Sequence, residues 1–222
     1  MTTDPDPSRT RPRRRWERFA PAGALGFLLT IVLGAVAIGK SPPSSQAPVE
    51  EIAAFFADRR TGVLYNSTLV VLGAFALYPW FLASLWRATR KAEGEGGILA
   101  VVGFVGGLTL LGPLLLQVAG WGAAALEAGP RRDPSVAAGL MDLGNMGFLL
   151  VPIPAAVLIV ATSLAGSPGV LLPRWLARAG IPVAAIMLAG GIVGFAPQLL
   201  FALLGLWLAA VALTLMRQDG QS

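Results

Sequence analysis

The stretch Ile98–Leu126, ILAVVGFVGGLTLLGPLLLQVAGWGAAAL, contains no charged residue, and its reading decides the fold. About 20 consecutive apolar residues carry a helix across the hydrocarbon core of a bilayer. Only a helix or a closed barrel satisfies its own backbone hydrogen bonds there. This run is longer than a straight crossing needs and holds Gly112-Pro113 at its centre, which predicts tilt or a kink.

Runs of the same kind lie on both sides of it. They cover Pro21–Gly39, Val63–Trp86, Val136–Leu164, Pro182–Phe195 and Leu199–Met216. Pro152 and Pro154 interrupt the fourth span as Gly112-Pro113 interrupts the third. As one helix, Pro182 to Met216 would be roughly 52 Å long at 1.5 Å per residue. A ~30 Å core cannot hold that, so a hairpin turning at Ala196-Pro197-Gln198 is expected. The chain therefore reads as all-α, an integral membrane bundle of six transmembrane helices. Two shorter helices complete it. Val49, Ile52, Phe55 and Phe56 recur at helical spacing after Pro48, with Glu50, Glu51 and Asp58 elsewhere. That pattern predicts a short amphipathic helix in the first outer loop, lying on the membrane face or lidding the bundle. Leu172-Pro173-Arg174-Trp175-Leu176 opens a second short helix at headgroup level.

Composition agrees with a membrane protein. Hydrophobic residues make up 55% of the 222, and the mean hydropathy is +0.69. Soluble domains run at roughly 45–50% apolar, counting glycine. The domain reading is a disordered basic cytoplasmic tail over 1–18, the six-span domain over 19–216 and a cytoplasmic tail over 217–222. Ala35-Val36-Ala37 resembles a signal-peptidase site, but the first apolar run is nearer a full span than a signal core, so an uncleaved anchor is expected.

The net charge of +5 becomes informative once the charges are placed. Arg9, Arg11, Arg13, Arg14, Arg15 and Arg18 precede the first span, and Arg87, Arg90, Lys91, Arg174, Arg178 and Arg217 fall on the same side. Only Lys40, Arg59, Arg60, Arg131 and Arg132 fall opposite. The positive-inside rule then puts both termini in the cytoplasm of a bacterial plasma membrane, with anionic lipid headgroups as partners of the N-terminal arginines. No stacking aromatics or folded module accompany that basic run, so no nucleic-acid partner is expected.

Histidine and cysteine are both absent. That removes haem, zinc and thiol redox chemistry, a Ser-His pair and a zinc protease motif. Aspartyl proteolysis needs two neighbouring carboxylates, and Asp142 alone lies well inside a span. There is no GxxxxGK[ST] loop. No enzyme, no cofactor and no metal are expected.

Intramembrane polar residues then carry the functional reading. Asp142 and Asn145 are three residues apart on one helix. Gln117 lies ~13 Å from the outer end of span three, and Asp142 ~9 Å from that of span four. Asn66 enters span two at similar shallow depth, and Trp121 is one turn beyond Gln117. Arg59, Arg60, Arg131 and Arg132 stand near the same surface. Two readings remain open: an outward-facing ligand pocket rimmed by the arginines, or hydrogen bonds that hold spans two, three and four together. Gly103-xxx-Gly107 and Gly190-xxx-Gly194 predict close helix packing, with a homo-oligomer or a membrane partner protein as a further use.

The segment VEEIAAFFADRR (49–60), leading to Leu85-Trp86-Arg87, and GVLLPRWLAR (169–178) resemble a family of small, multi-pass actinobacterial membrane proteins of unknown function. The resemblance implies a six-helix plasma-membrane protein and supplies no activity. The expected function is that of a non-enzymatic small-molecule-binding sensor or accessory subunit, with a small-solute secondary transporter or channel as the alternative.

Overall fold

A computed structural model describes residues 19–166, 169, 171–193 and 197–219. The basic tail over 1–18, the residues 194–196 of the expected hairpin turn and residues 220–222 lie outside that set. Helices α1 (Gly23–Ile38), α2 (Val49–Asp58), α3 (Arg60–Leu72), α4 (Tyr78–Glu93), α5 (Ile98–Thr109) and α6 (Leu111–Glu127) make the first half. Helices α7 (Pro134–Leu150), α8 (Pro152–Gly166), α9 (Arg174–Val193) and α10 (Pro197–Asp219) follow. Among the described residues, six helical stretches are long and apolar enough to cross a membrane: Ala20–Ile38, Arg60–Glu93, Ile98–Glu127, Pro134–Gly166, Arg174–Val193 and Gln198–Gln218. The fold is an all-α membrane bundle.

Proline explains why spans two, three and four are built in two parts. Pro79 has no N–H for the carbonyl four residues back. The chain widens into a π turn over Gly73–Leu77, in which the Tyr78 N–H donates to Gly73 O. Pro113 and Pro152 leave similar gaps, and the helices divide at Leu110 and Val151. Pro182 behaves differently from expectation. Arg174–Val193 is a single helix with Pro182 inside it, so no separate interfacial helix precedes span five. Proline's fixed φ suits a helix, the loss is chiefly one hydrogen bond, and membrane helices tolerate it. At about 30 Å the helix matches the hydrocarbon core.

The helix ends are fixed locally. Gly39 takes φ 76°, left-handed, and its N–H closes α1 on Ala35 O. The Glu93 carboxylate accepts from the N–H groups of Leu99 (2.9 Å) and Ala100 (2.7 Å), capping α5. Asp133 Oδ1 accepts from the Ser135 N–H at 2.9 Å and caps α7. That bond, helped by the Ser135 hydroxyl, holds the Asp133 carboxyl below the usual carboxylate range.

Small residues bring the spans together. A Cβ on Gly34 would collide with Asn66, and one on Gly62 with the Ala37 carbonyl, so α1 and α3 meet backbone to backbone. Gly120, Gly144 and Gly147 do the same for α6 and α7. Gly103 faces Ala161, and Gly107 faces Leu82 and the Tyr78 hydroxyl, so that glycine pair serves packing. Gly190 packs against Leu200, while Gly194 lies outside the described residues.

Two apolar clusters result. The larger contains Phe27, Val70, Leu114 and Val151 among its members. The smaller lies beneath α2 and joins Ile38, Ile52, Phe56, Val63, Trp121 and Met141. Helix α2 buries Ile52 and Phe56 in it and leaves Glu50 and Glu51 exposed.

Candidate site: a polar layer between two apolar clusters

On each of the first four spans the same order recurs. Span two presents Val63 to the small cluster, then Asn66, then Val70 to the large one. Span three runs Leu114, Gln117, Trp121, and span four runs Met141, Asn145, Val151. Span one passes from Phe27 through Thr30 and Gly34 to Ile38. Polar groups thus lie between the two apolar clusters, with Asn66 against Gly34 and Thr30 deeper, against Gly73, about two helical turns along span two.

Asn145 is the connected member of this layer. Trp121 Nε1 donates to Asn145 Oδ1 at 3.1 Å, and Asn145 Nδ2 donates to Ser45 Oγ at 3.0 Å. The carboxamide therefore joins α6, α7 and the loop that leads into α2. Phe56 and Phe148 flank Trp121, with ring centroids 6.4 and 5.6 Å away. The indole is held by an edge-on ring, a tilted ring and one hydrogen bond. Next to the layer, Ser67 Oγ donates to Val118 O at 2.9 Å and ties span two to span three.

Asn66 and Gln117 are 7% and 5% exposed. Neither carboxamide makes a hydrogen bond within the described residues, but the fully buried side-chain polar atoms that lack a partner there are others, Ser163 Oγ and Trp207 Nε1. Asn66 Oδ1 lies against the backbone of Gly34, and Gln117 lies beside Gly147 of α7. Each therefore sits where helices approach closely, with its hydrogen-bonding capacity unused.

The charged candidates do not join them. Asp142 is exposed and lies about 60° round α7 from Asn145. Arg59 is half-buried, with its guanidinium beside Gly39 at the C-terminal end of α1, where a cation is favoured. Arg60 and Arg131 are exposed, and Arg132 pairs with Glu127. The layer is neutral. Among the described residues no three acidic side chains gather to hold a metal ion.

One turn from the layer, away from α2, lies an apolar cavity of ≈ 480 Å³. It is lined by Phe27 and Ile31 of α1, Leu110 and Leu114 at the break in span three, Val151 at the break in span four, and Gly205 of α10. Leu114 is about 4.5 Å along the helix axis from Gln117, and Ile31 the same from Gly34. Val32 and Leu206 also line it and are 57% and 71% exposed, so they form its rim between α1 and α10.

Of the residues expected from the sequence, Asn66, Gln117 and Trp121 are buried and Asn145 bonds Trp121, while Asp142, Arg60, Arg131 and Arg132 are exposed. The Ser45 contact and the cavity have no counterpart in the sequence reading, since the Ser45 loop gives no periodic signal. The chain matches no known family model, no curated protein and no solved structure.

Proposed function

We propose that this is a non-enzymatic, multi-pass protein of the bacterial plasma membrane that binds a small molecule at the polar layer and acts as a sensor or accessory subunit. Both termini face the cytoplasm, and α2 covers the site from outside. One observation supports the reading: Asn66 and Gln117, each more than nine-tenths buried between the two apolar clusters, make no hydrogen bond within the described residues. Buried polar groups are satisfied in the great majority of structures, and those left over ask for a reason. A ligand with donors and acceptors supplies one. Placement and orientation rest on the arginine distribution and on the resemblance of 49–60 and 169–178 to bacterial membrane proteins.

The absence of cysteine makes a direct test available. Asn145→Cys is treated in intact cells with a membrane-impermeant thiol reagent, with Ser44→Cys as the outer control and Ser167→Cys as the inner one. Reaction at Asn145→Cys together with Ser44→Cys, and not at Ser167→Cys, supports an outward-facing site. Protection of Asn145→Cys in a folded protein whose outer control reacts removes that reading.

Transport is the second reading, favoured by the divisions in spans two, three and four at Gly73–Leu77, Leu110 and Val151. Interrupted spans beside polar groups are the parts from which secondary transporters build their sites. Accumulation of a solute in proteoliposomes would decide for it.

A further inference from the structure

Spans two, three and four are helical over 34, 30 and 33 residues, against 19, 20 and 21 for spans one, five and six. At 1.5 Å per residue the long three measure roughly 45–51 Å, and a 40° tilt still leaves about 34–39 Å across the membrane. A hydrocarbon core of about 30 Å fits the short three and leaves the long three with ends to place. We infer that those ends, with α2, form a small head in water, and that the lipid headgroups of one leaflet pack around a belt at Tyr65, Thr68 and Asp142. Which leaflet it is follows the orientation proposed above; the head itself does not depend on that orientation.

Close contacts set the register of the helices. Gly120 meets Gly144, which puts Gly122 opposite Asp142 on the antiparallel pair α6 and α7. Gly122 meets Ser67, and Gly34 meets Asn66 beside it. Asp142, Gly122, Asn66 and Gly34 therefore stand at about one level. At the other end Gly180 meets Ser163, so Arg178 stands opposite Ala165. Gln218 Nε2 donates to Leu171 O at 3.0 Å and draws Arg217 to the same end. Asp142 to Ala165 is roughly 35 Å of helix, and Ser67 to Arg87 roughly 30 Å. No described residue between the two levels is charged. The uncharged slab is thus as thick as the hydrocarbon core of a bilayer.

Asp142 marks the limit on the side of the head. It is exposed, on a side of α7 that continues to exposed Met146, Leu150 and Ile153. An ion on such a surface is strongly disfavoured inside hydrocarbon, so the lipid chains end at its level. The exposed face of span two changes character there as well. Thr61, Tyr65 and Thr68 are followed by Val71, Leu72 and Phe75, and a tyrosine is at home among headgroups.

The two apolar clusters then have different surroundings. Phe27, Val70, Leu114 and Val151 of the larger one lie within the slab. Ile38, Ile52, Phe56, Val63, Ala124 and Met141 of the smaller one lie beyond it, under a surface that exposes Glu50, Glu51, Asp58, Arg60 and Asp133. On α7 the head rises about 12 Å from Asp142 to Pro134.

The test uses the full chain in lipid nanodiscs. Single cysteines at the exposed positions Leu126, Val136, Leu150, Ile153 and Val157 carry a nitroxide, and its collisions with oxygen and with a water-soluble nickel chelate are compared. Leu126→Cys and Val136→Cys are expected to meet the nickel chelate freely, whereas Leu150→Cys, Ile153→Cys and Val157→Cys lose it and meet oxygen. Oxygen-dominated collisions at Leu126→Cys and Val136→Cys would put the whole of spans three and four in lipid and overturn the head. Nickel access at Leu150→Cys and Ile153→Cys would overturn the boundary at Asp142. A charge gives a second readout that needs no label. Val136→Lys should leave the yield of folded protein unchanged and Val157→Lys should lower it, and equal loss in both would overturn the proposal. Nanodiscs expose both faces, so these outcomes are the same whichever side the head faces. Reaction of Ser44→Cys in intact cells reads the orientation separately.

Discussion

Asn145 and Gln117 are both carboxamides inside the bundle, yet they do different work. Asn145 accepts from Trp121 and donates to Ser45, so its loss removes two links between separate parts of the chain. Interhelical polar contacts in membranes average ~0.6 kcal/mol, so Asn145→Leu should lower stability by about 1 kcal/mol. Thermal unfolding in detergent, read against Asp142→Asn as an exposed control that should leave it unchanged, checks this. Asp133 acts where water reaches it. Its carboxyl is held low by the Ser135 N–H, so the folded state prefers the ionised form. The contribution is present above the ordinary carboxylate range and is lost as pH falls through the lowered value. Unfolding should therefore grow less pH-dependent at acid pH in Asp133→Asn, which a pH series of melts would show.

At the scale of elements, α2 is held by side chains rather than by its own propensity, since ten residues make a marginal helix in isolation. Phe56 is fully buried against Trp121. Phe56→Ala should cost about 3–5 kcal/mol and release α2 before the spans unfold. Hydrogen exchange confined to the Val49–Asp58 amides is the expected signature. Glycines give a contrast in the spans themselves. Gly34 abuts Asn66, so Gly34→Val should part α1 from α3 at a cost of roughly 1–3 kcal/mol. Gly112 has nothing within 4 Å of where a Cβ would stand, so Gly112→Ala should be neutral or gain up to about 1 kcal/mol. The spans themselves were legible in the sequence because hydropathy over a bilayer's width is a strong signal, and α2 because Ile52 and Phe56 recur at helical spacing. Pro113 and Pro152 pointed to the kinks. Pro182 pointed to a boundary that does not exist, because a proline within a membrane helix bends or interrupts hydrogen bonding without obliging the helix to end.

For the whole molecule, depth along a span was easier to read than facing. Counting residues from the span ends put Gln117 in the outer half, with Asn66 at similar depth and Trp121 one turn beyond Gln117, and the structure buries all three. The same count put Asp142 there too, yet it is exposed. A membrane helix is apolar on most of its circumference, so no amphipathic stripe fixes its rotation, and a shift of 60° moves a side chain from the interior to the edge. Neither the bond from Asn145 to Ser45 nor the cavity left a local signature, since each depends on segments distant in sequence. The central claim is that Gln117 is kept for a ligand and not for folding, and its unfolding temperature tests that most directly. Replacing an amide that makes no hydrogen bond within the bundle with an apolar group of similar shape is expected to be neutral or stabilising for the ligand-free protein. Gln117→Leu in purified, delipidated protein should therefore melt at or above the wild-type temperature. A lower melting temperature would show that the carboxamide is satisfied within the bundle and that the layer is packing.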